Sequence, residues 1–162
     1  MKVVDLFNSI RDLPLRFPEK MDDEDLRCWG KHRKLYKLLT ENGFKVRYLV
    51  CDFLWSKQKI PPNLLAIPHM DKDKHLFLEI RLNNKSIMLD CSNDSKLPDY
   101  NKWDGKSNCK IAVNYTRIHS PQDSAVLEAE ELSYHENLLR RNYEFYKSMN
   151  RFFDALRKNK SA

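Results

Sequence analysis

Apolar positions along the chain fall into blocks of two different periods. Val4, Phe7 and Ile10 recur at helical spacing before Pro14, which predicts a first helix over about 3–12. Residues 15–25 read as a loop that closes on Asp22-Asp23-Glu24-Asp25. Acidic residues ahead of an apolar-periodic run suit a helix start. A second helix is predicted over about 26–41, with Leu35, Leu38 and Leu39 inward and Asn42-Gly43 as its stop.

The pattern then changes to strands. Val46 to Trp55 is rich in β-branched and aromatic residues and predicts a strand. Pro61-Pro62 interrupts, and a short apolar stretch, Leu64 to Ile67, precedes Pro68. His75 to Leu82 alternates, with Leu76, Leu78, Ile80 and Leu82 on one face. Asn83-Asn84 predicts a two-residue hairpin turn, because Asn tolerates φ > 0. Ser86 to Cys91 returns, 96–106 is a polar loop, and Cys109 to Ile118 predicts a further strand.

From about Gln122 to Lys158 there is neither Pro nor Gly, and apolar residues from Leu127 to Leu156 fall at helical spacings. One long helix, or two with a bend, follows, either packed on the sheet or forming a dimer seam. The expected fold class is α+β. A helix bearing Cys28 packs on a mostly antiparallel sheet of four to five strands bearing His75 and Asp90, followed by the long C-terminal helix. Residues 1–120 are the expected core and 121–162 a helical extension.

Composition narrows the function classes. A chain of 162 residues can bury a core without disulfides or metals. Its three glycines exclude a Gly-rich phosphate cradle. The net charge of +6 is dispersed, with one dense cluster at Arg157 to Lys160. That reads as solubility rather than as a nucleic-acid surface, and no RNP, zinc-finger or helix-turn-helix signature stands beside it. There is no 18-residue apolar run, so no membrane span, and Lys2 and Asp5 interrupt any secretory h-region. A cytoplasmic protein is the expectation. The four cysteines, Cys28, Cys51, Cys91 and Cys109, include no C-x-x-C pair, which argues against structural zinc and, in a reducing compartment, for free thiols.

The hairpin register carries the candidate chemistry. With the turn at Asn83-Asn84, Phe77 faces Asp90, so His75, Phe77 and Glu79 share a face with Met88 and Asp90. His75 and Asp90 are then diagonal neighbours, about 7–8 Å apart, within side-chain reach. A His oriented by a carboxylate is half of a nucleophilic triad. Cys28, at the predicted start of the second helix, supplies a thiol where the helix dipole favours an anion and a backbone N–H is available for an oxyanion. His32, one turn after Cys28, and His69 are the other candidate bases. Arg47 and Glu79 are expected to form a buried ion pair, and Trp55, Tyr100 and Trp103 are candidates for lining a cleft.

The ordered set Cys28, His75, Asp90 resembles the transglutaminase-like superfamily, which has a papain-like cysteine-protease fold, and in particular a small prokaryotic-type member. The resemblance extends to Cys28-Trp29 opening an apolar helix that ends at Asn42-Gly43. It includes the His75-Leu76-Phe77-Leu78-Glu79 and Ile87-Met88-Leu89-Asp90 strands, and the first helix ending Ile10-Arg11-Asp12-Leu13-Pro14. It covers about residues 3–92. Leu26-Arg27 stands where the family usually has Gly, and no upstream Gln supplies an oxyanion donor. The resemblance implies a thiolate that attacks an amide or thioester carbonyl. Cys28 is then the nucleophile, His75 the base and later acid, and Asp90 the group that holds the imidazole, with Trp29, Trp55 and Glu79 as cleft or support residues. It implies a peptidase, amidase or acyl transferase acting on a peptide or protein, with no metal or organic cofactor. The other reading is an inactive member that serves as a protein-binding or assembly module, with self-association through the C-terminal helix.

Overall fold

The computed structural model describes residues 2–161. Four strands, β1 (Lys45–Leu54), β2 (Lys72–Leu82), β3 (Lys85–Leu89) and β4 (Tyr115–Ile118), form one antiparallel sheet in the order β3-β2-β1-β4. The helices are α1 (Val3–Arg11), α2 (Cys28–Glu41), the short α3 (Pro62–Leu65) and α4 (Pro121–Ser161). The architecture is α+β, as the periodicities predict. No helix among the described residues is long and apolar enough to cross a membrane.

The local signals account for the element ends. Asn83 and Asn84 both have positive φ, 47° and 62°, which is the geometry of a tight hairpin turn. The register that follows pairs Leu82 with Lys85 and Leu78 with Leu89. Helix α2 ends in a Schellman motif. Gly43, at φ 83°, donates to Thr40 O and Phe44 donates to Leu39 O, each at 3.0 Å.

Alternation along β1 and β2 builds two apolar faces. Leu78 and Ile80 pack against Leu35 and Leu39 of α2 and Leu6 and Phe7 of α1. Leu49, Cys51 and Phe77 face the other way and are covered by Met88, Ile111 and Val113. β3 stops at Leu89, opposite Leu78. Residues 72–77 of β2 therefore have β1 on one side and no strand on the other. The Cys28 end of α2 meets this stretch, where Cys28 and Trp29 pack with Val50 and Leu76.

α4 is a single helix of 41 residues, about 60 Å long at 1.5 Å per residue. It attaches to the core at several levels. Ser124 Oγ accepts from Val50 N at 2.9 Å. Asn150 clasps Phe17, accepting from its N–H at 2.8 Å and donating to its carbonyl at 2.9 Å. Arg157 pairs with Asp94 at 2.6 Å. Phe145, Tyr146 and Met149 bury against Phe17 and Trp55.

Several expectations are corrected. Only Tyr115–Ile118 of the predicted 109–118 strand is a strand. Residues 109–114 instead lie over the β2–β3 end, where Cys109 N donates to Met88 O at 2.8 Å and Ala112 N to Asp90 at 2.8 Å. The Leu64 end of the 64–67 stretch forms α3, with Pro62 at its first position, where a missing N–H costs nothing. Leu38 packs against the core beside Leu35 and Leu39, as expected, but stays half-buried. Arg47 and Glu79 do pair across β1 and β2 at 2.8 Å, but Arg47 is about half exposed. The pair is therefore a surface one, because its positions lie toward the hairpin end of the ladder.

Candidate functional site

Cys28 is the first residue of α2, with Arg27 as N-cap. Its N–H and that of Trp29 belong to the first turn, which has no intrahelical acceptor, and neither donates to a protein group among the described residues. Gly30 is required two residues on. A Cβ there would stand 1.7 Å from Asp25 O, so only glycine lets the 22–26 loop fold back over the helix start. The Asp22–Asp25 run is not an N-cap. Asp25 instead accepts from Arg27 N and from its guanidinium, at 3.0 and 2.9 Å.

His75 is buried on β2, and its Nε2 lies 2.7 Å from Asp90 Oδ2. Asp90 is fully buried one residue past the end of β3, so it meets His75 from the turn rather than from the ladder. Three further donors converge on it. Ser92 N and Oγ reach Oδ1 at 2.9 and 2.6 Å, and Ala112 N reaches Oδ2 at 2.8 Å. A buried carboxyl with four donors is held as the anion. Burial works against that charge, but His75 and these hydrogen bonds outweigh it and lower the Asp90 pKa. Asp90 Oδ2 can only accept, so the proton of the pair sits on Nε2, which leaves His75 Nδ1 for another partner.

Cys28 is the neighbour whose sulfur acts on the charge of this ring. Burial opposes the His75 imidazolium, but the Asp90 carboxylate, the Cys28 sulfur and hydrogen bonds to both favour it, and its pKa is raised to about 10. His75 and Asp90, which the sequence singled out, thus come together, and Cys28 lies close enough for its sulfur to act on the ring. What the arrangement offers is a thiol near an imidazole whose far nitrogen is anchored.

The competing histidines are engaged in other bonds. His32 is fully buried with both nitrogens engaged: Nδ1 donates to Cys28 O at 2.7 Å and Nε2 accepts from Cys91 N at 3.0 Å. It has no free nitrogen to act as a base. His69 stacks on Phe145 at 4.2 Å and donates to Ile67 O from Nδ1 at 2.7 Å. Neither has the role of the oriented base.

A cleft of about 720 Å³ runs between the start of β2, the end of β1 and α4. Cys28 and His75 do not line it, but their neighbours Trp29 and Lys74 do, with Asp73, Phe53, Tyr134 and Leu138. Of the expected support residues, Trp29 forms part of this wall. Trp55 lies behind it, where its Nε1 donates to Asp73 at 3.0 Å and its ring packs with Phe17, Phe53 and Phe145. Glu79 lies with Arg47 on the surface and away from the cleft lining. Trp103 is a core residue against Phe7, and Tyr100 carries Arg11, Lys102 and Lys160 over its ring.

Asp25, Glu131 and His135 bring one ligand atom each within 4.8 Å of one another. The cation among them is Arg27, whose Nη2 lies 2.9, 2.8 and 3.1 Å from the three. Glu131 also binds Arg33 at 2.8 Å. The cluster is therefore an ion network that ties α4 to the N-cap of α2.

Sequence reasoning missed Ser92, Ala112 and this network. Asp90-Cys91-Ser92 carried a local signal, since an Asp accepting from the N–H two residues on is an Asx-turn. Ala112 acts through its backbone and Glu131 sits in mid-helix, so neither had one. All four cysteines are free thiols. Burial pushes the Cys51, Cys91 and Cys109 thiols up, Cys109 to about 11. Comparison with protein-family models, curated proteins and solved structures finds no match to this chain.

Proposed function

We propose that this chain is a transglutaminase-like thiol enzyme that forms an acyl-enzyme at Cys28, as a peptidase, amidase or acyl transferase on peptide amides. The observation that carries the proposal is the buried His75–Asp90 pair at 2.7 Å set against the thiol that opens α2. The order of helix, strand and turn along residues 3–92 supports the papain-like fold on the same footing.

In this reading the Cys28 sulfur, as thiolate, attacks the carbonyl carbon and forms a C–S bond. The Cys28 N–H at the helix start stabilises the oxyanion. As the intermediate collapses, the C–N bond breaks and the His75 imidazolium gives its Nδ1 proton to the leaving amine. Neutral His75 then takes a proton from water or from an acceptor amine, which attacks the thioester. The C–S bond breaks and the thiolate–imidazolium pair returns. Asp90 holds Nε2–H throughout, so that Nδ1 always faces the sulfur. The cleft along Trp29 and α4 is where the peptide lies.

The test is the pH dependence of iodoacetamide labelling, thiol by thiol. Cys28 is expected to react at pH 6, where a thiol of ordinary pKa near 8.5 is almost entirely protonated. His75→Ala and Asp90→Ala are expected to move its profile toward that ordinary value. A Cys28 that titrates as a free thiol and ignores both substitutions would sink the proposal and leave the binding-module reading.

A further inference from the structure

We infer that His32 is a positioning residue that ties the nucleophile's end of α2 to the carboxylate end of the His75–Asp90 pair, and that it must stay neutral to do so. The inference rests on the reading of Cys28, His75 and Asp90 as one reacting set.

The tautomer follows from the neighbours. Cys28 O has only lone pairs, so His32 Nδ1, at 2.7 Å, must carry a proton. Cys91 N brings its own hydrogen, so Nε2, at 3.0 Å, must be the bare acceptor. One ring thus joins the carbonyl of the nucleophile residue to the amide of the residue after Asp90. The side chain is fully buried, and its ring stands edge-on to His75 with centroids 6.2 Å apart. A hydrophobic residue there would leave the Cys91 N–H buried without an acceptor.

The same geometry makes protonation disruptive. His32 Nε2 lies 3.6 Å from Asp90 Oδ1. Adding a proton there removes the acceptor for Cys91 N–H and creates a cation that competes with His75 for the one carboxylate. The groups facing His32 are Asp90 and His75 from the sheet side, the Cys91 N–H at the turn, and the Cys28 carbonyl and Lys31 on its own helix. Burial first, then the charges of His75 and Lys31, hold the ring neutral against the pull of Asp90, and its pKa falls to about 4. The Lys31 ammonium is itself spent on the carbonyls of Arg11, Leu13 and Ser92, at 2.7–2.9 Å.

Two variants separate positioning from bulk packing. An Asn side chain can donate to the carbonyl four residues back, as Asn42 at the C-cap of α2 does to Leu38 O at 2.8 Å, so His32→Asn is chosen to keep the Cys28 bond and lose the Cys91 acceptor. Leu35→Ala removes core volume from the same helix without touching either bond. Both are compared with wild type in thermal melts and in the pH profile of Cys28 alkylation. Leu35→Ala is expected to lower Tm and leave the profile unmoved. His32→Asn is expected to raise the apparent thiol pKa and slow labelling at pH 6 about tenfold, since each pKa unit is a factor of ten in thiolate there. Nitrogen-15 NMR of the wild-type imidazoles gives an independent reading, with His32 as the neutral Nδ1–H tautomer at pH 7.

A His32→Asn profile that superimposes on wild type overturns the inference, as does a charged or Nε2–H His32 at pH 7. If wild-type Cys28 already titrates as a free thiol whatever stands at position 75, the enzyme reading falls and this one with it. A reactive Cys28 that is indifferent to His32 removes this inference alone.

Discussion

At the scale of single residues, the site is a set of buried charges that must be satisfied together. Asp90 takes four donors, and removing one should be felt. Ser92→Ala deletes the 2.6 Å hydroxyl bond to a carboxylate, which is worth about 1.5–3 kcal/mol for a charged acceptor. Urea unfolding should show a loss of that order, with slower Cys28 labelling at pH 6. The His75 shift has a signed consequence for stability. Its folded pKa is raised to about 10, so its contribution is full below the ordinary value of about 6.5 and fades as pH rises toward 10. In that interval this group by itself binds more protons folded than unfolded, and its own contribution falls with pH. Lys31, lowered to about 8, acts in the opposite sense above that pH, so the clean window is about pH 6.5–8. The proposed Cys28 thiolate gives up on folding the proton that His75 gains across this window, so the decline is expected in thermal melts of Cys28→Ser, where no thiol offsets it, and adding His75→Gln should flatten it.

At the scale of elements, the glycines of α2 separate two kinds of constraint. Gly43 needs only its left-handed backbone, and no atom stands within 4 Å of a Cβ placed there. Gly43→Ala should cost about 1 kcal/mol and leave Cys28 labelling unchanged. Gly30 is constrained by the Asp25 carbonyl oxygen, 1.7 Å from where a Cβ would stand. Gly30→Ala must push the loop away and break the Arg27–Asp25 pairing at the N-cap. It should lower both Tm and the labelling rate at pH 6. The Asn42-Gly43 stop was legible beforehand because C-capping is local chemistry. The 109–114 segment was misread because its apolar Ile111 and Val113 look strand-like, while their burial comes from covering Phe77 and Met88.

At the scale of the whole molecule, α4 does more than cover the sheet. Its buried Glu131 meets Arg27 and Arg33, each at 2.8 Å, and Arg27 is the N-cap of the helix that carries Cys28. Removing one partner of such a buried network leaves charge uncompensated, at a cost of about 3–5 kcal/mol. Glu131→Ala should therefore destabilise the chain by that order and also slow Cys28 labelling. Asn150→Ala, which frees the clasped Phe17 backbone far along the same helix, should cost about 1–3 kcal/mol and leave the labelling profile in place. If both variants change stability and neither touches Cys28, α4 is a structural brace only.

Rules that act within a few residues were enough for the α+β class, the hairpin and its register, and the stop of α2. They also placed Cys28 at a helix start and put His75 and Asp90 within reach of each other. Periodicity, turn chemistry and capping set each of these. Long-range packing chose which histidine meets the carboxylate and which is locked between two backbone groups. It also chose Ser92 and Ala112 to hold Asp90, and brought Glu131 to the N-cap of α2 from more than 100 residues away. Those outcomes depend on which buried polar groups find partners when distant segments pack. A period along the chain records that a position is buried, and carries no record of what it is buried against.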